Sequence, residues 1–170
     1  NWVATTANGY LGSNGVLVNP ALNTTLGTTA EYFLISPQFI TPASGEIRFF
    51  TKQGSFSNYG TNYQVRISTA SQPDIASFNV TLQSWNETQL NVSATTYEEK
   101  IVSLGSIPAG IPVYVAFVAI TNQVGTTTAT TATQGDRWFI DNARVISGCS
   151  PVTGITSSIN SSTATIIWTH

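Results

Sequence analysis

The sequence predicts an all-β fold, two antiparallel sheets packed face to face as a sandwich, and three observations predict it. Six Tyr, eight Phe and four Trp stand among many Thr, Val and Ile, residues that fit a pleated, half-buried surface. Strand-like segments recur at short intervals, separated by Gly, Pro and Asn. No stretch of ordinary helix length carries a 3.6-residue apolar period, and long helix formers such as Lys, Glu and Met are scarce.

Taken in order, strands are expected near Gly15–Asn19, Tyr32–Ser36, Glu46–Thr51, Asn62–Thr69, Val80–Trp85, Glu98–Leu104, Pro112–Thr121 and Arg137–Ser147. In "YQVRIST", Val65 and Ile67 alternate with Gln64, Arg66 and Ser68, as a strand with one buried face requires. "IPVYVAFVAI" (Ile111 to Ile120) is apolar on both faces and predicts a central strand covered on both sides. "TASQPDIASFN" has room for one short helical turn, with Pro73 at a first position and Asp74 beside it. The low-complexity run Thr121 to Asp136 reads either as a surface loop or as a binding loop at the end of the sandwich. After Ser147, "GCSPVTGITSSINSSTATIIWTH" changes to a linker, an alternating strand, a polar turn and a second strand ending at Trp168.

Composition excludes several functions. The net charge is −2 and the six basic residues form no cluster, so nucleic-acid binding is not expected. No run approaches the roughly 18–20 apolar residues of a spanning helix, so neither is membrane insertion. The lone Cys149 forms no internal disulfide and the only histidine is His170, which leaves no thiol–imidazole pair and no transition-metal set. No phosphate loop or nucleophile elbow occurs. No catalytic residue is assigned, and the chain is not expected to be an enzyme. Asn1-Trp2, without an initiator Met, suggests a segment of a longer precursor.

Only 8% of the residues are Asp, Glu, Lys or Arg, yet "GDRWFIDNARVI" holds four of them within nine positions: Asp136, Arg137, Asp141 and Arg144. The five-residue spacing of the two acids puts them on opposite faces of a regular strand, which weakens a catalytic pair. Asp141 and Glu31 each stand at the edge of a strongly apolar strand. Each is therefore a candidate calcium ligand, because calcium accepts carboxylate and carbonyl oxygens. The alternative is a buried carboxylate that accepts backbone N–H bonds or, for Asp141, pairs with Arg144 or Arg137. Aromatic residues among Asn, Ser and Gly suit glycan recognition, since a sugar ring stacks on an exposed aromatic while amides bond its hydroxyls. Tyr59, Tyr63 and Trp85 are the candidates, with Phe56 in the same "QGSFSNYGTNY" stretch. The plainer reading puts Phe56 and Tyr63 in the core and leaves Tyr59 covering a loop.

One ordered set of motifs carries a resemblance. Leu34-Ile35-Ser36-Pro37, Val65-Arg66-Ile67-Ser68 and Ile140-Asp141-Asn142-Ala143-Arg144-Val145 follow one another in a pattern that resembles the cleaved-adhesin, or choice-of-anchor J, family, related to MAM-like jelly rolls. The resemblance covers about residues 1–147. The segment 148–170 resembles the truncated start of a fibronectin type III module, on its Pro151 and Trp168. Together they imply a jelly-roll sandwich in a large secreted or cell-surface bacterial protein, with neighbouring domains in the same chain. They also imply a non-catalytic adhesion or carbohydrate-binding module whose partner is a glycan or a host-surface protein, in some members with structural calcium. The alternative role is a spacer that positions a neighbouring catalytic domain of a secreted hydrolase. Carried over by position, Asp141 is the family's acidic strand residue and Glu31 stands near its acid before Leu-Ile-Ser-Pro. The opening "NWVATTANGYLGSNG" lacks the acids that help bind calcium in many members.

Overall fold

The computed structural model describes residues 2–6, 8–19, 29–122, 135–148, 153–160 and 163–169. Cys149, His170 and most of the run Thr121 to Asp136 fall outside them. The elements are β1 Trp2–Thr5, β2 Gly15–Val18, β3 Thr29–Ile35, β4 Phe39–Ile40, β5 Gly45–Gln53, β6 Asn62–Ser68, β7 Val80–Asn86, the one-turn helix α1 Glu87–Leu90, β8 Glu98–Ser103, β9 Pro112–Asn122, β10 Trp138–Ser147, β11 Thr153–Asn160 and β12 Thr163–Thr169. One sheet runs β1-β2-β10-β5-β8; the other runs β3-β9-β6-β7, with β4 added on β9. All pairings are antiparallel. The fold is a jelly-roll β-sandwich. β11 and β12 pair with each other as a separate two-stranded hairpin.

Alternation decides which face goes inward. Along β5, Ile47, Phe49, Thr51 and Gln53 are buried while Glu46, Arg48, Phe50 and Lys52 are half-buried on the opposite face. β6 answers from the other sheet with Tyr63, Val65 and Ile67. Phe49 and Phe117 meet edge-on at 4.9 Å, and Trp138 packs 5.1 Å from Tyr63 and 5.7 Å from Trp2. Each such side chain contributes about 1.5–3 kcal/mol by leaving water. The indole N–H of Trp138 is satisfied inside the core by Thr51 Oγ1 at 2.6 Å. As its composition predicts, β9 is buried on both sides. Val113, Val115, Phe117 and Ala119 join the main core, while Ala116 and Val118 pack under Phe78 and Phe33. Phe78 is brought there by a short 3-10 turn, Ile75–Ser77, whose N-cap Asp74 accepts the Ser77 amide hydrogen at 2.9 Å.

Three elements escaped the sequence reading. β1 and β4 are short edge pieces, and α1 is a single turn. The Ser36-Pro37 pair explains why β3 and β4 are separate. Pro37 has no amide hydrogen to continue the ladder on β9, and the Ser36 hydroxyl accepts the Val115 amide at 3.0 Å where the ladder breaks.

Candidate functional site

Asp141 lies on β10 at a bulge, where the register against β5 shifts between Asp141 and Arg144. Asn142 turns left-handed there, with φ 49°, a conformation Asn tolerates better than most residues. The carboxylate is buried and faces the chain between β1 and β2. Its Oδ2 accepts the Tyr10 amide at 2.6 Å and the Ser13 hydroxyl at 2.5 Å, and its Oδ1 accepts the Asn142 amide at 2.6 Å. A Cβ on Gly9 would lie 1.7 Å from the Ser13 carbonyl oxygen, so only glycine lets this segment wrap the carboxylate. Neither arginine balances the charge as the sequence suggested. Arg144 pairs with Glu99, and Arg137 lies against Gly54.

Glu31, on β3, pairs with Arg66 at 2.8 Å on the sheet surface. Asp141 and Glu31 thus have separate partners. Among the described residues no group of three or more His, Cys, Asp or Glu comes together. The two acids that the sequence offers as calcium ligands are therefore not brought together, and Asp141 is engaged by three hydrogen-bond donors.

The aromatic candidates separate sharply. Tyr63 is fully buried against Trp138, and its hydroxyl lies by the Gln53 and Thr61 side chains without a hydrogen bond of good geometry. Burial first, then the nearby charges of Asp136 and Glu87, push that phenol far above its ordinary pKa. It is a core residue and offers no face to a sugar. Trp85 is half-buried, edge-on to Phe49 at 6.2 Å, and belongs to the inter-sheet packing. Tyr59 stays at the surface, and Phe56, in the same loop, is 77% exposed.

That loop, residues 54–61, is held by two buried carboxylates. Glu87 starts α1, where Asn86 and Gln89 form a reciprocal capping box. Its Oε2 accepts the Tyr59 amide at 2.5 Å and its Oε1 the Thr61 amide at 2.8 Å. Asp136 accepts the Ser55 amide at 3.0 Å and the Arg137 amide at 2.7 Å, while its own amide donates to Thr61 Oγ1 at 2.7 Å. Inside the loop, Asn58 Oδ1 accepts the Gly60 amide at 2.9 Å, and Gly60 takes φ +79°. Hydrogen bonds to a charged acceptor contribute about 1.5–3 kcal/mol each, which offsets the cost of burying the acids. For Asp136 the balance still tips upward. Burial raises its pKa and the Glu87 charge adds to that, against the lowering effect of the amides.

Between this loop and the segment after α1 lies a groove of about 250 Å³. Ser55, Phe56, Ser57 and Asn58 form one wall, Thr88, Asn91 and Val92 the other, and Gln53 and Glu87 the floor. The second wall is also tied to an acid, since Glu98 Oε1 accepts the Val92 and Ser93 amides at 2.6 and 3.3 Å. Enclosed small-molecule pockets run to about 300–1,000 Å³, so this groove suits one ring of a longer molecule lying across it. The carboxylates beneath it accept backbone amide hydrogens and so hold the walls in place. The sequence reading missed Glu87 and Asp136 as loop anchors. The signal for Glu87 was the "NETQ" capping pattern, which places an acid in the first turn of a helix.

Comparison with solved structures bears out the fold. The chain is similar to the K1 and K3 cleaved adhesin domains of Lys-gingipain from Porphyromonas gingivalis. Both share 20% identity with it and a TM-score of 0.56 over 86% of this chain, covering 83% and 91% of theirs. It is also similar to a structure of carbohydrate-binding modules from the β-sandwich superfamily, at 15% identity and a TM-score of 0.52, over 86% of this chain and 52% of that one. At these identities the likeness is one of fold. No protein-family model matches the chain, and no curated protein sequence does.

Proposed function

We propose that the chain is a non-catalytic, glycan-binding β-sandwich module of a secreted or cell-surface bacterial protein, and that the glycan lies across the groove at the Phe56 loop. The observation that carries this is Phe56 itself. A large apolar ring, 77% exposed, stands on a loop anchored at the Ser55, Tyr59 and Thr61 amides and opens onto hydroxyl and amide side chains. An aromatic face beside such groups matches the two-sided chemistry of a sugar. The likeness to adhesin domains and carbohydrate-binding modules adds support at the level of fold. A spacer without a ligand gains nothing from displaying Phe56. Following the resemblance of residues 148–170, the module precedes a fibronectin-like unit and works alongside neighbouring domains.

Calorimetric titration of a panel of oligosaccharides against the wild type and Phe56→Ala tests the proposal. Binding that is lost or strongly weakened in the variant supports it. Equal binding by both, or none by either, overturns it.

A further inference from the structure

We infer that the groove takes uncharged glycans and rejects acidic ones such as uronates and sialosides; this rests on the glycan reading above. The argument is the distribution of charge. None of the residues lining the groove is Lys, Arg or His, and Glu87 is among them. Both walls hang on carboxylates: the Phe56 loop on Glu87 and Asp136, and the opposite segment on Glu98.

The chain has six basic residues, and none of them lines the groove. Arg48 pairs with Glu46, Arg66 with Glu31, Lys100 with Glu98 and Arg144 with Glu99. Lys52 Nζ sits over the Tyr97 and Phe139 rings at 4.7 and 5.0 Å. Arg137 lies against Gly54 and is not part of the groove lining. Recognition of a ligand carboxylate or sulfate calls for a positioned cation, best a bidentate arginine, and this groove offers none. An acidic sugar would instead meet the field of the buried Glu87 and Asp136 carboxylates in a concave site, where fields are focused. Serine, threonine and asparagine side chains match neutral hydroxyls and acetamido groups.

The test uses the whole chain at about 0.01 M ionic strength, where the Debye length is about 30 Å. Neutral oligomers of glucose, mannose and N-acetylglucosamine are titrated beside oligogalacturonate and sialyllactose, each against wild type and Phe56→Ala. The expected result is binding of at least one neutral oligomer that depends on Phe56. The acidic sugars should bind at least about tenfold more weakly, with the gap narrowing as salt is added. Acidic sugars that bind as tightly as neutral ones, with the same dependence on Phe56, overturn the charge argument and leave the glycan site standing. If no sugar binds, or binding ignores Phe56, the site and the inference fall together.

Discussion

The Asp141 carboxylate accepts the amide hydrogen of Tyr10 at 2.6 Å across 131 positions of sequence. The bond joins β10, the last strand of the sandwich, to the segment between β1 and β2, and the Tyr10 ring continues the junction by stacking on Phe50 at 3.7 Å. Removing the acceptor strands the Tyr10 and Asn142 amides, while the Ser13 hydroxyl is left with the Tyr10 carbonyl at 2.6 Å. Asp141→Ala should therefore lower stability by about 2 kcal/mol or more, and Ser13→Ala by about 1 kcal/mol. Urea denaturation of both variants checks this, and an Asp141→Ala protein as stable as wild type would sink the clasp.

Calcium gives the second prediction. A ligand that binds only the folded state raises the melting midpoint by mass action. Because the Asp141 oxygens together accept three donors and Glu31 pairs elsewhere, melts in excess EDTA and in millimolar calcium should coincide. A calcium-dependent rise would return Asp141 and Glu31 to the list of metal ligands.

The two aromatic classes should part company on mutation. Phe56→Ala should leave the melting midpoint near that of wild type and weaken glycan binding by about tenfold, equivalent to about 1.4 kcal/mol. Tyr63→Ala should cost about 3–5 kcal/mol, as large core truncations do. Tyr63→Phe, which removes only the hydroxyl beside Gln53 and Thr61, should cost about 1 kcal/mol or less. A Tyr63→Phe loss of several kcal/mol would mean that the hydroxyl is satisfied after all.

Two acids should pull the stability–pH profile in opposite directions. Burial tends to raise Glu98, but hydrogen bonds from Lys100 and the Ser93 and Val92 amides outweigh it and lower its pKa. Its contribution is thus present above the unfolded-state pKa and lost as pH falls through the depressed folded value. Asp136 is raised, so its contribution is present below the unfolded-state pKa and lost as pH rises through the folded one. Glu98→Gln should flatten the acid limb of the profile, and Asp136→Asn the loss that sets in as pH rises through the raised Asp136 value, whatever each costs overall. Denaturation midpoints across the pH range read both, and an unaltered profile in either variant refutes that assignment.

The sheets were legible because alternation is a local signal. Val65 and Ile67, or Ile47 and Phe49, announce the buried face with no knowledge of the partner strand. The double burial of β9 was equally plain, since its apolar run has no polar alternate. The groove was not legible. Phe56 and Tyr63 sit seven positions apart in one Asn/Ser/Gly-rich stretch and look alike. What separates them is that β6 starts at Asn62, a boundary set by pairing with β7 and β9. Likewise, Glu87 and Asp136 are 49 positions apart, and only the return of β10 beside β5 brings both to the same loop. The pairing of Arg144 with Glu99 also depends on strand order, with β5 lying between β10 and β8.

The break at Ser36-Pro37 has a consequence for behaviour in a crowded setting. β3 and β4 together form one rim of their sheet, a row of amide and carbonyl groups on which another chain could build. Proline interrupts that row after seven residues of β3 and allows only the two-residue β4 to follow. An added strand therefore finds a continuous row of partners along β3 alone, and the rim does not extend past Ser36 as one template.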